Sequence, residues 1–162
     1  MPTVTISVED VGGIGMPAGG GTFYLPKREL RVWGYFGTEL RMRRAVFDTG
    51  APACVPPHRV WSRLALRGDI TWISSGATGP FIRVFGGSYP FRLGRVRLKL
   101  IDLSNELTPS DVTAICTDDP QTAPAHLQLP ILIGLADVMR GRVLRVEAAA
   151  DGQVWSATLG EQ

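Results

Sequence analysis

The sequence predicts a small all-β domain, a barrel or sandwich of short strands, on the strength of three observations. Apolar and polar residues alternate with period two in "LRMRRAVF" and again in "RVRLKL". Glycine (19) and proline (12) are scattered along the whole chain, and long helical periodicity is absent. There is no strand–helix–strand rhythm and no internal repeat, which leaves antiparallel strands joined by turns. At 162 residues, 44% of them hydrophobic, the chain suits one domain whose core is large enough to fold without staples.

The first strand is expected at Val4–Val8. The glycine-rich stretch after it contains Gly13-x-Gly15-x-x-Ala18, formally a dinucleotide fingerprint. That fingerprint requires a helix to begin inside it, and Pro17 followed by Gly19–Gly21 would make such a helix very costly. A flexible loop is the expectation, so residues 1–21 are set apart as an N-terminal strand and Gly-rich loop, and residues 22–162 form the main domain. A strand at Glu29–Phe36 follows. In "LRMRRAVF", Leu40, Met42 and Val46 would face the core while Arg41 and Arg43 face solvent.

Pro57 could open a helix through "HRVWSRLAL", with Val60, Trp61, Leu64 and Leu66 as its apolar stripe. After a strand at Asp69–Ile73, "RVFGGSYPFRLG" places Gly86-Gly87 between two strand-like runs, a hairpin-tip signal. Downstream, Phe91 and Leu93 occupy odd positions whereas Val96, Leu98 and Leu100 occupy even ones. A bulge at Gly94 would repair that slip. Strands at Asp111–Cys116, Leu129–Ile133, Arg142–Ala148 and Gln153–Leu159 complete the set. One short helix fits "LADVMRG", with Gly141 placed to stop it.

Charge excludes some functions. The net charge of +2 is close to neutral, and the arginines alternating with apolar residues read as solvated strand faces, so no nucleic-acid partner is expected. No apolar run approaches the ~20 residues that cross a bilayer, and no membrane partner is expected. Cys54 and Cys116 lie far apart, and the first residues lack the basic and apolar regions of a secretory signal. Reduced thiols and a cytoplasmic location are therefore expected. Two isolated cysteines with His58 and His126 do not make a zinc set, so neither a metal nor a cofactor is expected.

The chemistry-bearing stretch is Ala45–Pro52, "AVFDTGAP". It drives an aspartate out of an apolar run, where an ionised carboxylate is disfavoured unless paired, hydrogen-bonded or protonated. One reading is an Asx turn, in which Asp48 bonds the amides ahead and Gly50 takes the dihedral angles that close it. Asp118, Asp119 and Asp137 lie in different surroundings and read as turn and helix-surface residues.

"AVFDTGAP" also resembles the active-site motif of the retropepsin-like aspartic proteases. "LPILIGLADVMRGRVLRVEA" is similar to that family's second motif, and the Gly86-Gly87 hairpin stands where the family places its flap. The three features cover about Arg31 to Ala148. The resemblance implies a small closed β-barrel of the retropepsin (acid protease half) type with one or two short helices, one of them after Ile131–Gly134. It implies an aspartic endopeptidase acting on a polypeptide substrate without a cofactor. Asp48 would be catalytic, with Thr49, Gly50 and Ala51 completing its loop. Phe85, Gly86 and Gly87 would form the flap, and Leu132, Ile133 and Gly134 would support the loop from beneath. With one Asp-Thr-Gly per chain, the second carboxylate must come from another copy, so a homodimer is implied. Thr49 would then bond the opposing backbone, and Gly50 would let the main chain pass close to substrate. Ala51 offers no hydroxyl to the carboxylate, which implies activity nearer neutral pH. Substrate subsites would draw on residues such as Val55, Phe81, Val84, Phe85 and Ile131. The alternative is a retropepsin-like fold serving as a non-catalytic dimerisation or peptide-binding module. Phosphate-binding ATPases with an Asp-x-Gly loop need longer, helix-rich chains.

Overall fold

The structure, a computed structural model, describes residues 1–73, 81–84, 87–119, 129–148 and 155–162. It is mostly β. β1 (Thr3–Ala18) and β2 (Gly21–Phe36) form a long antiparallel ribbon. Here the sequence reading is corrected, because Val11–Ala18 is strand rather than loop. Its glycines sit where a ribbon can use them. Gly12, at φ 99°, lies where the register shifts between Asp10 and Gly13, and Gly19 and Gly20 form the two-residue turn with φ 25° and 103°.

Strand pairing then follows the order β4 (Ile70–Trp72), β6 (Gly87–Ile101), β2, β1, β10 (Trp155–Glu161), β9 (Arg142–Ala148). β5 (Phe81–Val84) and β7 (Ser110–Thr117) pair antiparallel with β6. β3 (Arg43–Phe47) pairs antiparallel with β2, and β8 (Leu132–Ile133) runs parallel to β3. Among the described residues the path has two ends, β4 and β9, with side branches, rather than a ring of strands.

Two further expectations are corrected. β6 and β7 stay in register from Phe91↔Thr117 to Leu98↔Ser110, so there is no bulge at Gly94. From Arg92 to Leu100 the even positions face inward. At Arg92 the inward side chain is a guanidinium stacked 4.9 Å from both the Trp61 and Trp72 rings. At Gly94 a Cβ would meet Ile70 Cγ2 at 2.5 Å, so the inner face is filled from β4 instead. Leu40 and Met42 do not face the core either: they are 96% and 45% exposed. The buried Glu39 carboxylate is held in a fork by Arg43 Nε and Nη2, both at 2.6 Å, and β3 begins only there. Arg43 is thus a half-buried ion partner rather than a solvated strand residue.

Helix α1 (His58–Leu66) buries Val60, Trp61 and Leu64, whereas Leu66 is exposed. Pro57 is its N-cap and has no side-chain donor or acceptor to offer. Asp119, from the end of β7, supplies the cap by accepting the His58 amide at 2.6 Å. Helix α2 (Leu135–Val138) is a single turn between β8 and β9.

Alternation sorts the side chains of β3, β8 and β7 into two clusters. Ala45, Phe47, Ile131, Ile133, Ala114 and Cys116 enter the main core with Phe36, Leu64 and Leu98. Val46 and Leu132 point the other way, into a smaller cluster with Val55 and Leu129, on which Ile82, Tyr89 and Ile115 pack.

Candidate active site

The Asp48 loop leaves the end of β3 while its backbone is still in the parallel ladder. The Val46 amide donates to Ile131 O at 2.8 Å and the Asp48 amide to Ile133 O at 2.9 Å. Asp48 is half-buried; Thr49 and Gly50 are exposed. Asp48 Oδ1 accepts the Gly50 amide at 2.8 Å, and the Asp48 carbonyl accepts the Ala51 amide at 3.3 Å. The first of these bonds is the Asx turn read from the sequence. Gly50, however, is not among the glycines with positive φ, and a Cβ there would come no nearer than 3.4 Å, to Asp48 Oδ1. That is ordinary van der Waals contact, so the chain's own fold does not require glycine at 50.

Gly134 is the opposite case. A Cβ there would lie 2.4 Å from Ala53 O and 2.6 Å from Ala51 O, both backbone atoms that cannot rotate away. This close approach lets the start of α2 dock on the loop. The Leu135 amide donates to Ala51 O at 3.0 Å and the Ala136 amide to Pro52 O at 3.2 Å. Two helix N-terminal donors that lack intrahelical partners are thereby satisfied by the loop. Val55 adds a two-way bridge to Leu132, at 2.9 and 3.2 Å. The structure thus brings Asp48–Ala51 against Leu132, Ile133 and Gly134.

Along a strand, residues two apart project to one side, so Asp48 shares a side with Val46 and the smaller apolar cluster. That cluster carries the strands of the β5–β6 hairpin through Ile82 and Tyr89. Gly87 is the first residue of β6, paired with Val84. Phe85 and Gly86 lie outside the described residues, as do the side chains of Phe81 and Val84 and all of His126. Of the other subsite candidates, Val55 lines the cluster beside Asp48, whereas Ile131 points into the main core.

The other carboxylates singled out in the sequence have different surroundings. Asp137 Oδ2 accepts the Thr113 amide at 2.7 Å, which holds its carboxyl below the usual carboxylate range. Asp119 takes the His58 amide and the Thr117 hydroxyl, and Asp118 is exposed. Cys54 lies beside the loop, but burial pushes its thiol up to about 12 despite a hydrogen bond from the Gly134 amide. At neutral pH it is a protonated packing residue, not a nucleophile. Cys116 is likewise pushed up to about 12 by burial. Among the described residues no group of three or more His, Cys, Asp and Glu could hold a metal, and no helix is long and apolar enough to cross a membrane. The grooves lined by Tyr35, Glu39 and Arg97 (about 350 Å³) and by Trp33, Met42 and Leu103 (about 540 Å³) do not include residues 48–51.

Several supports leave no mark in residue type. Pro52 accepts the Ala136 amide and Ala53 crowds Gly134, both through carbonyl oxygens that any residue type possesses, and Ala51, already placed in the loop by the sequence, likewise acts through its carbonyl. Leu129, Ile115 and Tyr89 join the cluster from segments distant in the chain.

No protein-family model matches the chain, and no curated protein matches it. Among solved structures, EIAV protease complexed with the inhibitor HBY-793 aligns over 64% of this chain and 79% of that chain, at 17% identity and a TM-score of 0.40. A likeness that slight leaves the site to stand on its own geometry.

Proposed function

We propose that the protein is an aspartic endopeptidase with a retropepsin-type half-barrel, active as a two-fold homodimer in which Asp48 of each chain faces one shared water. The observation that carries this reading is the contrast at the two glycines. Gly134 is demanded by the chain itself, whereas the tip, with Asp48 half-buried and Thr49 and Gly50 exposed, is braced from behind and has no internal use for its glycine. A bare, rigidly backed carboxylate loop suits close approach by a second chain and an extended peptide.

Two carboxylates at such range cannot both ionise, so they hold one proton between them and titrate as a pair. The ionised member takes a proton from the water as its oxygen attacks the scissile carbonyl. The protonated member gives its proton to the departing amine, and the C–N bond breaks. Thr49 would tie each loop to the opposite backbone, and the β5–β6 hairpin would lie over the bound peptide.

Asp48→Asn tests the reading. Peptidase activity should fall by roughly 10³-fold or more while sedimentation and thermal unfolding match the native protein. Mixing native and Asp48→Asn chains should depress activity below the native fraction, because mixed dimers are dead. Activity in a strict monomer, or activity that survives in Asp48→Asn, would overturn it. Peptide binding without cleavage would assign the fold to a binding module.

A further inference from the structure

Ile82 and Tyr89 are directly paired across the β5–β6 hairpin, and both rest on the cluster of Val46, Val55, Leu129 and Leu132. Val46 lies on the Asp48 side of β3, so the hairpin is seated on the same side as the carboxylate. Tyr89 also reaches toward the tip. A Cβ built on Gly87 would lie 2.2 Å from the Tyr89 hydroxyl oxygen and 2.4 Å from Cζ, so the ring is folded back over Gly87. Residues 87 and 89 are two apart on one strand and share a face, which is why the ring can lie there. Gly87 is not among the positive-φ glycines, so the side chain rather than the backbone makes the demand.

We infer that Tyr89 is a positioning residue that anchors the β5–β6 hairpin on the Asp48 side, and that residue 87 is glycine to admit its ring. The ring's apolar body rests on the aliphatic cluster while its hydroxyl end lies over Gly87, an arrangement that suits an amphipathic aromatic. The anchoring stands on packing alone; its effect on catalysis rests on the reading of Asp48 as the catalytic carboxylate.

The test is a double-variant cycle read by amide hydrogen exchange of residues 82–84 and 87–90, with peptide hydrolysis as the second readout. Tyr89→Phe keeps the ring and should leave exchange and KM near native values. Tyr89→Ala should raise hairpin exchange and KM about tenfold, while exchange in the main core stays unchanged. Gly87→Ala displaces the ring and should do the same. Adding Gly87→Ala to Tyr89→Ala should change little more, because the added methyl then meets nothing. Effects that sum in the double variant, or native exchange in Tyr89→Ala, would overturn the inference. If the native protein hydrolyses no peptide, the exchange cycle still decides the anchor, and only the catalytic reading fails.

Discussion

The loop at Asp48–Gly50 and the segment at Leu132–Ala136 touch, yet they obey different constraints. The second is fixed from within: Ile133 is fully buried, Gly134 is jammed against two carbonyls, and two amides of α2 are spent on Ala51 and Pro52. The first is backed by that segment, with Asp48 half-buried and Thr49 and Gly50 exposed. Packing explains Leu132, Ile133 and Gly134, whereas it explains little at Thr49 and Gly50. Where a fold holds a polar loop stiffly without burying it, the reason lies outside that chain's stability.

Three substitutions sharpen this contrast. Gly134→Ala should be the most damaging to the fold, since two fixed carbonyls meet the new methyl. We expect about 3 kcal/mol of destabilisation, visible as a lower midpoint in urea unfolding. Asp137→Asn should cost less, at most about 1 kcal/mol after solvent screening, because it weakens one tie between α2 and β7. Its sign with pH follows from the depressed carboxyl. The tie is fully present above the unfolded value of about 3.9 and is lost as pH falls through the lower folded value. The gap in melting temperature between native and variant should therefore be open at pH 6 and narrow as pH falls below about 3.9. Gly50→Ala should barely move stability, within roughly 0.5 kcal/mol, yet lower peptide hydrolysis. A fold destabilised by Gly50→Ala as much as by Gly134→Ala would erase the distinction between the two regions.

The sequence exposed those parts of the fold whose logic is local. β9 falls at its expected bounds, and α1 runs through "HRVWSRLAL" because an apolar stripe and a proline announce it. The β1–β2 ribbon was hidden because glycine reads as loop unless its partner strand is known. Gly94 misled for a related reason: an arginine at an inward position looks like a broken phase until two tryptophans are seen around it. At the candidate site, the tripeptide at 48–50 and the apolar run at 131–133 were legible because side-chain identity carries them. The contacts that join them run through carbonyl oxygens and a glycine's missing methyl, and no residue type spells these out.

The parallel pairing of Val46 with Leu132 also bears on the order of assembly. Asp48 is synthesised well before the strand that receives its amide. Closing a loop of that length costs entropy before any contact repays it, and pairings between distant segments form slowly. A nascent chain that has reached only α1 holds the carboxylate without Ile133 or Gly134 behind it. Its Asp48 turn then has neither the parallel ladder nor the helix start to hold it. The loop's full set of hydrogen bonds thus waits on the segment from Leu132 to Ala136.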